Sequence, residues 1–278
     1  MSTLFRSLHL PQLTIALAAV IAIAAIAAPA SAVRYGEPDD GEHPYVGLLV
    51  FYDAGGVPQW RCTGTLIAPT VVVTAAHCTE LEQGAQFFPQ ENVGAVATYP
   101  FTGGITGQAY AGPDWQGGLF LPDTGDIGVV VLDAPAGSGP FPQLAPDGYL
   151  NALANKRGQQ NVNFEVVGYG LQSVKPELSA LKVRLKATVQ LVNLKSSLTD
   201  GYNIQTTNAK GKGTGGGGTC FGDSGGAIFH LGADDGGNRV HYIVAVNSFV
   251  LNENCAGASF GYRTDRTDVI EWILGSHN

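Results

Sequence analysis

Apolar residues in this chain come mostly in short runs that are separated by glycine, proline and polar residues. Eight of these runs have the length of a strand and are rich in Val, Ile, Phe, Tyr and Thr. They predict strands at Val46–Tyr52, Trp60–Ile67, Val71–Ala75, Ile127–Leu132, Phe164–Tyr169, Ala180–Leu191, Ala227–His230 and Val240–Phe249. Strands spaced in this way, without helices between them, predict antiparallel barrels or sandwiches rather than a parallel α/β sheet.

Two stretches depart from this pattern and suggest how the chain is divided. Residues 134–149 are dominated by proline and glycine, a composition typical of a connector between two packed units. Only the C-terminal end is predicted to be helical, with Asp268 as the cap, Glu271 as its capping-box partner and Gly275 as the stop. The predicted organisation is a first barrel over about 33–135, a connector over about 136–160, a second barrel over about 161–265 and a helix over about 268–275.

The first 32 residues have the composition of an export signal. Arg6 and His9 precede an uncharged run over Leu13–Ala28, and Ala30-Ser31-Ala32 then forms an A-x-A cleavage site. The run is shorter than the ~20 residues that span a bilayer comfortably, which favours cleavage over a stable membrane anchor. We therefore expect residues 1–32 to be a signal peptide and the mature protein to be secreted, either extracellular or periplasmic.

Charge and cysteine content narrow the function classes. The 278-residue chain has a formal net charge of −8, and loss of Arg6 with the signal peptide makes it −9. No basic patch stands out, which argues against a nucleic-acid partner. All four cysteines (Cys62, Cys78, Cys220 and Cys255) follow residue 32, and an even number in an exported chain favours disulfides over a metal site. Spacing alone leaves all three possible pairings open.

Three short motifs contain residues that are capable of chemistry. Ser224 lies in Gly222-Asp223-Ser224-Gly225-Gly226, where glycines allow a tight turn and a close approach of the backbone to a reacting carbonyl. His77 follows an apolar strand in Thr74-Ala75-Ala76-His77-Cys78, and histidine is the natural general base near neutral pH. Asp126 directly precedes a buried strand and could orient an imidazole. These residue types together suggest nucleophilic catalysis.

Each of these residues also has an ordinary interpretation. The serine motif could be a flexible glycine-rich loop, since short motifs often occur by chance. A histidine such as His77 is more often a surface or capping residue, and an acid at the start of a strand is often a turn residue. His43, His230 and His241 are the alternative bases, and Asp123 and Asp133 are the alternative acids.

Taken together and in this order, the three motifs resemble those of the chymotrypsin/trypsin-like serine peptidases (peptidase S1). The spacing of sixteen residues from Cys62 to Cys78 resembles the first disulfide loop of that family. Further segments resemble its barrel strands, its substrate strand and its closing helix, namely Thr63–Ile67, Phe164–Gly170, Val246–Phe249 and Val269–Ile273. The resemblance covers essentially all of residues 33–278.

The resemblance implies an all-β fold. It would consist of two six-stranded antiparallel Greek-key barrels, with the active site in the cleft between them and a short C-terminal helix. It also implies one cysteine pairing, Cys62–Cys78 and Cys220–Cys255. The protein would act on protein or peptide substrates as a monomer, without a cofactor or a metal.

The resemblance also assigns roles to the residues of the three motifs. Ser224 would attack the scissile carbonyl, His77 would take its proton, and Asp126 would hold the tautomer of the histidine. The backbone N–H groups of Gly222 and Ser224 would form the oxyanion hole. Ser248 would support Asp126.

Activation and substrate preference are implied less directly. Cleavage after Ala32 would place Val33 at the new N-terminus, where its ammonium could pair with Asp223. The pocket would be formed by Gly218, Thr219, Phe221, Ser248, Phe249 and Val250, with a second wall near Phe260 or Gly261. Gly218 lacks the carboxylate that selects Lys or Arg, and Val250 stands where a glycine often keeps the pocket open. Together they predict a small or medium apolar residue at P1, the substrate residue whose carbonyl is attacked.

Two other functions fit parts of the sequence. The serine motif also matches the G-x-S-x-G elbow of α/β-hydrolases, but that fold places its acid and its histidine after the serine. Only 54 residues follow Ser224. An inactive binding protein of the trypsin-like fold is the other alternative, and it is disfavoured because all three triad residues are present. A form that folds with a long pro-region is disfavoured because nothing separates the signal peptide from Val33.

Overall fold

The computed structural model describes residues 33–80, 84–154, 161–175, 178–211 and 215–275. The predicted signal peptide lies outside the described residues. In the first half of the chain the strands are β1 (Glu37–Pro38), β2 (Val46–Tyr52), β3 (Pro58–Ala68), β4 (Val71–Thr74), β5 (Ala85–Phe88), β6 (Ile105–Ala111) and β7 (Gly128–Leu132). The second half contains β8 (Gln143–Leu144), β9 (Asn163–Gly168), β10 (Leu185–Asn193), β11 (Asn203–Asn208), β12 (Ala227–Ala233), β13 (Arg239–Val250) and β14 (Gly257–Arg263).

The first six-stranded barrel closes in the order β2-β3-β4-β7-β6-β5, and all of its pairings are antiparallel. Every residue of β2 is buried, and its side chains pack with those of the facing strands. Gly47 is required in this core because a Cβ at that position would overlap the Phe87 ring. Interiors packed at this density leave no room for an added methyl group.

The second barrel closes in the order β9-β10-β11-β14-β13-β12, because β9 pairs with both β10 and β12. Strands β1 and β8 attach to its outside, β1 antiparallel to β10 and β8 parallel to β13. Its core is made of apolar side chains that include Phe164, Val189 and Val244. The two barrels confirm the all-β fold class that the resemblance implies.

The described residues also contain a 3-10 helix (Ala76–Cys78) and three α-helices: α1 (Val93–Val96), α2 (Tyr149–Leu153) and α3 (Thr267–Gly275). The sequence predicts a helix only at the C-terminus, so α1 and α2 are additional. Each is about one turn long, too short to show an apolar period. None of the helices in the described ranges has the length and apolar composition needed to cross a bilayer.

A buried cluster of charged groups fixes the segment before β2 against the second barrel. The Asp39 carboxylate accepts hydrogen bonds from Arg184 Nε at 2.7 Å and from His43 Nδ1 at 2.6 Å. His43 Nε2 lies 2.9 Å from Glu165 Oε1, and the His43 ring stacks against Phe229. Residues 33–45, which the predicted boundaries group with the first barrel, are therefore attached to β9 and β10 of the second.

This cluster has a pH-dependent contribution to stability. Burial alone would raise the pKa of Asp39, but hydrogen bonds and charge from His43 and Arg184 outweigh it and lower the pKa from 3.8 to about 2. The folded state thus favours the ionised carboxylate. The stabilisation is present above the unfolded pKa and is lost as the pH falls through the folded one, which amounts to about 2 kcal/mol.

We therefore predict that Asp39→Asn flattens the pH dependence of stability between about pH 4 and pH 2. In the unmodified protein, the free energy of unfolding should fall by about 2 kcal/mol more over this interval than in the variant. Urea unfolding at a series of pH values measures this difference. Asp40→Asn, a substitution at the exposed neighbouring residue, is the matched control. Parallel slopes for Asp39→Asn and the unmodified protein would contradict the prediction.

Candidate active site

The loop that carries Ser224 depends on glycine at two positions. Gly222 has a φ of +97° and Gly225 a φ of +77°, values that glycine adopts readily and other residues do not. A Cβ on Gly225 would overlap Thr74 Oγ1 and would lie 2.7 Å from the backbone nitrogen of Ala75. The loop therefore packs directly against the end of β4, and this places Ser224 near the segment that leads to His77.

Hydrogen bonds to its backbone hold this loop between the two barrels. From β3, the Thr63 N–H donates to the Ser224 carbonyl at 2.8 Å and Thr63 Oγ1 donates to the Gly222 carbonyl at 2.9 Å. From β13, the Asn247 carbonyl accepts from the Gly225 N–H at 2.7 Å. The position of Ser224 is thus set by one strand of each barrel.

His77 lies on the 3-10 helix that follows β4, beside the fully buried Asp126. Its Nδ1 is 2.9 Å from Asp126 Oδ2, and its backbone N–H donates to Asp126 Oδ1 at 2.9 Å. Ser248 Oγ donates a further hydrogen bond to Asp126 Oδ2. A hydrogen bond from Nδ1–H to the carboxylate leaves Nε2 of a neutral imidazole free to accept a proton.

The charge state of His77 is determined by two opposing effects. Burial alone lowers its pKa, whereas the hydrogen bond and the negative charge of Asp126 raise it, and the net shift of the pKa is upward. The imidazolium form is therefore stabilised relative to a free histidine. This is the direction expected of a base that must carry a proton during a reaction.

His77 and Ser224 line one cavity of about 310 Å³. Five of the predicted pocket residues line it as well: Thr219, Phe221, Ser248, Phe249 and Val250. Leu119, Cys220 and Asn247 complete the lining. No carboxylate contributes to this wall among the residues that the structure describes. The predicted base, the predicted nucleophile and five of the six predicted pocket residues therefore line a single cleft.

Gly218, the sixth predicted pocket residue, is buried and does not line this cavity. A Cβ at this position would overlap Asn208 Oδ1, so the amide of Asn208 occupies the space that a side chain at position 218 would fill. The amide is fixed because Asn208 Nδ2 donates to the carbonyls of Thr219 at 2.8 Å and Cys255 at 3.1 Å. The space beside Gly218 is thus occupied by a neutral group from β11.

Neither Phe260 nor Gly261, the two candidates for a second wall, lines the cavity, but Phe260 packs against Phe249, which does. Phe249 on β13 and Phe260 on β14 occupy paired positions, and their rings stack 4.5 Å apart with an interplanar angle of 2°. Gly261, the other candidate for this wall, faces the barrel core, because a Cβ there would lie 2.6 Å from Ile228 Cδ1. Of the two alternatives, Phe260 is the residue whose side chain packs against the pocket strand.

Two disulfides support the site, and their pairing is the one that the resemblance implies. Cys62 bonds to Cys78 next to His77, and Cys220 bonds to Cys255 next to the serine loop. In the described part of the chain, the only cluster of possible metal ligands is Cys62, His77 and Cys78. Both of its sulfur atoms are engaged in the disulfide.

Asp223 is fully buried behind the serine loop. Its carboxylate accepts from the N–H groups of Gly170 and Cys220, each at 2.8 Å. Burial raises the pKa of Asp223 to about 7, although these N–H groups and the charge of Arg61 lower it. Among the residues described by the structure, Asp223 has no salt-bridge partner.

The predicted partner of Asp223 belongs to the N-terminal segment. Val33 is fully buried with the apolar side chains of the second barrel. The carbonyl of the next residue, Arg34, accepts from the Gly218 N–H at 3.0 Å. The segment that follows Val33 therefore runs beside the chain that leads into the serine loop.

The alternative candidates lie in other environments. Among the histidines, His43 belongs to the Asp39 cluster, His230 Nδ1 lies 2.8 Å from the Tyr149 hydroxyl, and His241 contacts the Tyr45 hydroxyl. Among the acids, Asp123 accepts from the Tyr262 hydroxyl at 3.1 Å and Asp133 from Thr106 Oγ1. Asp126 is the acid that contacts His77.

Comparison with known proteins agrees with this geometry. The model of the family described as Trypsin matches residues 33–273. The chain belongs to the trypsin family. A protein named Trypsin from Saccharopolyspora erythraea is 30% identical over 199 residues, which cover 67% of this chain and 76% of that protein.

A solved structure described as "Structure of GrC" has the same fold as this trypsin-family chain. The two superpose with a TM-score of 0.60 at 18% identity, covering 87% of this chain and 97% of the other. At this identity the likeness supports the fold alone.

Sequence reasoning missed several residues of this trypsin-family site. Asn247 lines the cavity, is 3% exposed, and has no hydrogen-bond partner for its side-chain nitrogen or oxygen among the described residues. A polar residue within the apolar run of β13 was the available signal for it. Asn208 and Leu119 gave no such signal, because their positions depend on pairing and loop geometry.

Proposed function

We propose that this chain is a secreted serine endopeptidase that hydrolyses peptide bonds through an acyl-enzyme. The observation that carries the proposal is the contact of His77 Nδ1 with the buried Asp126 in a cavity that also contains Ser224. Membership of the trypsin family supports it, since members of that family are serine peptidases. The two disulfides favour an exported protein, because such bonds persist in oxidising compartments.

The proposed reaction begins when Ser224 Oγ attacks the scissile carbonyl and His77 Nε2 accepts its proton. Asp126 keeps His77 in the required tautomer and stabilises the imidazolium that forms. The N–H groups of Gly222 and Ser224 then donate to the oxyanion of the tetrahedral intermediate. Removing one such donor in a related hydrolase costs roughly 3–4 kcal/mol in kcat. His77 returns the proton to the leaving amine, and water hydrolyses the acyl-enzyme in a second round.

A fluorophosphonate should label the mature protein at Ser224, because the probe reacts only with an activated serine. Mass spectrometry of the labelled peptide identifies the residue. Ser224→Ala should abolish labelling and lower kcat about 10⁶-fold, whereas Ser138→Ala, at an exposed serine, should change neither. A folded protein that takes up no label would favour the alternative, an inactive binding protein of the same fold.

The rate of labelling should also depend on pH through His77. An imidazolium cannot accept the serine proton, so labelling should slow as the pH falls through the raised pKa of His77.

The cavity supports a preference for a small or medium apolar residue at P1. Val250 and Phe249 narrow it, Phe260 holds the Phe249 ring by stacking against it, and Asn208 takes the place of a side chain at position 218. A cationic P1 side chain would find no buried carboxylate in the described wall. A neutral, narrow cavity therefore favours P1 residues such as Ala or Val.

Peptide para-nitroanilides that differ only at P1 test this preference. Ala and Val substrates should have the higher kcat/KM, and a dominant preference for Arg or Lys would overturn the proposal. Gly218→Asp alone should not create Lys or Arg cleavage, because its Cβ would overlap the fixed Asn208 amide. Fluorophosphonate labelling of the variant confirms that its site is still formed.

We also propose that removal of residues 1–32 activates the enzyme. The new ammonium of Val33 would provide the partner that the buried Asp223 carboxylate lacks among the described residues. Offsetting the burial of Asp223 would stabilise its ionised form. The serine loop begins at Gly222, one residue before Asp223. The ion pair would therefore fix this loop in the form that binds the oxyanion.

N-terminal sequencing of the secreted protein should give Val33 as the first residue. A form with one additional alanine before Val33 should react more slowly with a fluorophosphonate, because its ammonium is displaced from Asp223. A mature protein that starts elsewhere, or an extended form that is equally reactive, would contradict this route of activation. Action as a monomer on protein or peptide substrates, without a membrane anchor, remains part of the same proposal.

A further inference from the structure

Arg61 lies beside the loop that we propose holds the oxyanion. It is on β3, next to Cys62 and two residues before Thr63, which donates to both Ser224 and Gly222. A Cβ built on Gly222 would lie 3.7 Å from Arg61 Nε. The guanidinium is therefore close to the reacting centre, although Arg61 does not line the cavity that contains Ser224.

Arg61 has no acidic partner within the described ranges, where eight ion pairs engage other basic side chains. Burial lowers the pKa of Arg61 and the charge of Asp223 partly offsets this, but the Asp223 carboxylate is occupied by two backbone N–H groups and forms no ion pair with Arg61. Lys182 is the second cation of this region: burial and then the charge of Arg61 lower its pKa. Lys182 also lacks an acidic partner there, and its Nζ lies 5.4 Å from the centre of the Phe101 ring.

Two half-buried cations that have no acidic partner among the described residues are unexpected in a chain with a net charge of −8. A bound anion would offset the cost of holding these positive charges without a partner. The pair therefore has the chemistry of a binding site for a carboxylate. Guanidinium groups are well suited to this, because they donate two parallel hydrogen bonds to one carboxylate.

The position relative to Ser224 indicates which part of a substrate would reach this pair. The cavity lies on the β13 side of Ser224, where Asn247, Phe249 and Val250 would hold the acyl part of the substrate. Arg61 lies on the β3 side, next to the Cys62–Cys78 disulfide. When the acyl part occupies the cavity, the leaving amine must extend towards β3.

We propose that Arg61, with Lys182 beside it, selects substrates that carry an acidic side chain within the first two residues after the scissile bond. This inference rests on the proposed peptidase function and adds a substrate class to it. Arg61 is a specificity residue of the leaving-group side, whereas the cavity selects the neutral residue on the acyl side. The carboxylate would contact the guanidinium and would remain partly exposed to water.

Internally quenched peptides test this specificity. Three peptides share alanine at P1 and differ only at the second residue after the bond, which is Glu, Gln or Lys. The unmodified enzyme should cleave them in the order Glu, Gln, Lys, with kcat/KM for Glu about 5- to 20-fold above that for Gln. The ratio should shrink as salt is added, because exposed charges are screened.

Substitutions then assign the effect to individual residues. Arg61→Gln should bring the Glu-to-Gln ratio close to one, and Lys182→Gln should reduce it in part. Arg239→Gln, at an exposed arginine at the start of β13, should keep the ratio of the unmodified enzyme. A ratio near one in the unmodified enzyme would overturn the inference. So would an Arg61→Gln variant that cleaves all three peptides more slowly by the same factor, since Arg61 would then act through the serine loop.

Fluorophosphonate labelling of Ser224 on the same samples separates this inference from the proposed function. If Ser224 is labelled but kcat/KM is the same for the Glu and Gln peptides, the inference is overturned and the peptidase function is left intact. A folded protein that neither labels nor cleaves overturns both. Labelling of Arg61→Gln at the rate of the unmodified enzyme shows that a changed ratio does not come from a misfolded site.

Discussion

The site depends on one constraint, the fixation of the Ser224 loop by hydrogen bonds from both barrels. Thr63 of β3 and Asn247 of β13 bond to backbone groups of the same five-residue loop. The left-handed Gly225 is what allows the loop to lie against the end of β4. The loop geometry therefore exists only when both barrels are folded, and the disulfides Cys62–Cys78 and Cys220–Cys255 join the segments on either side of it.

The two buried acids of the site are satisfied in different ways. Asp126 accepts from the His77 ring, the His77 backbone and Ser248, so its negative charge is directed at the imidazole. Asp223 accepts only from backbone N–H groups, and burial raises its pKa to about 7. Two hydrogen bonds offset only part of the cost of burying a charge. The first acid thus has its proposed partner in place, whereas the second is held where a cation would stabilise it.

Much of this organisation follows from local sequence, and the rest does not. Ser224, His77 and Asp126 could be found because each stands beside glycines or an apolar strand that makes it conspicuous. Strands β11 and β14 were not predicted, because their residues are largely polar or glycine and are specified by pairing with each other. The contact of Asn208 with Gly218 follows from that pairing, so no inspection of the chain near Gly218 could have predicted it. Arg61 was missed for a similar reason. Its proposed role follows from its proximity to Gly222, which lies far away in the sequence.

The distribution of charge around Ser224 is uneven, and this has a physical consequence for recognition. On the β13 side, the described wall of the cavity is neutral, and the fixed amide of Asn208 fills the space beside Gly218. On the β3 side, Arg61 is positively charged, and its charge acts together with burial to lower the pKa of Lys182. An apolar wall distinguishes side chains by size, and each methylene group changes the binding free energy only modestly. A cationic pair distinguishes them by the sign of their charge, and attraction and repulsion both contribute to the difference. In this chain the stronger discrimination is therefore expected from the leaving-group side of the scissile bond.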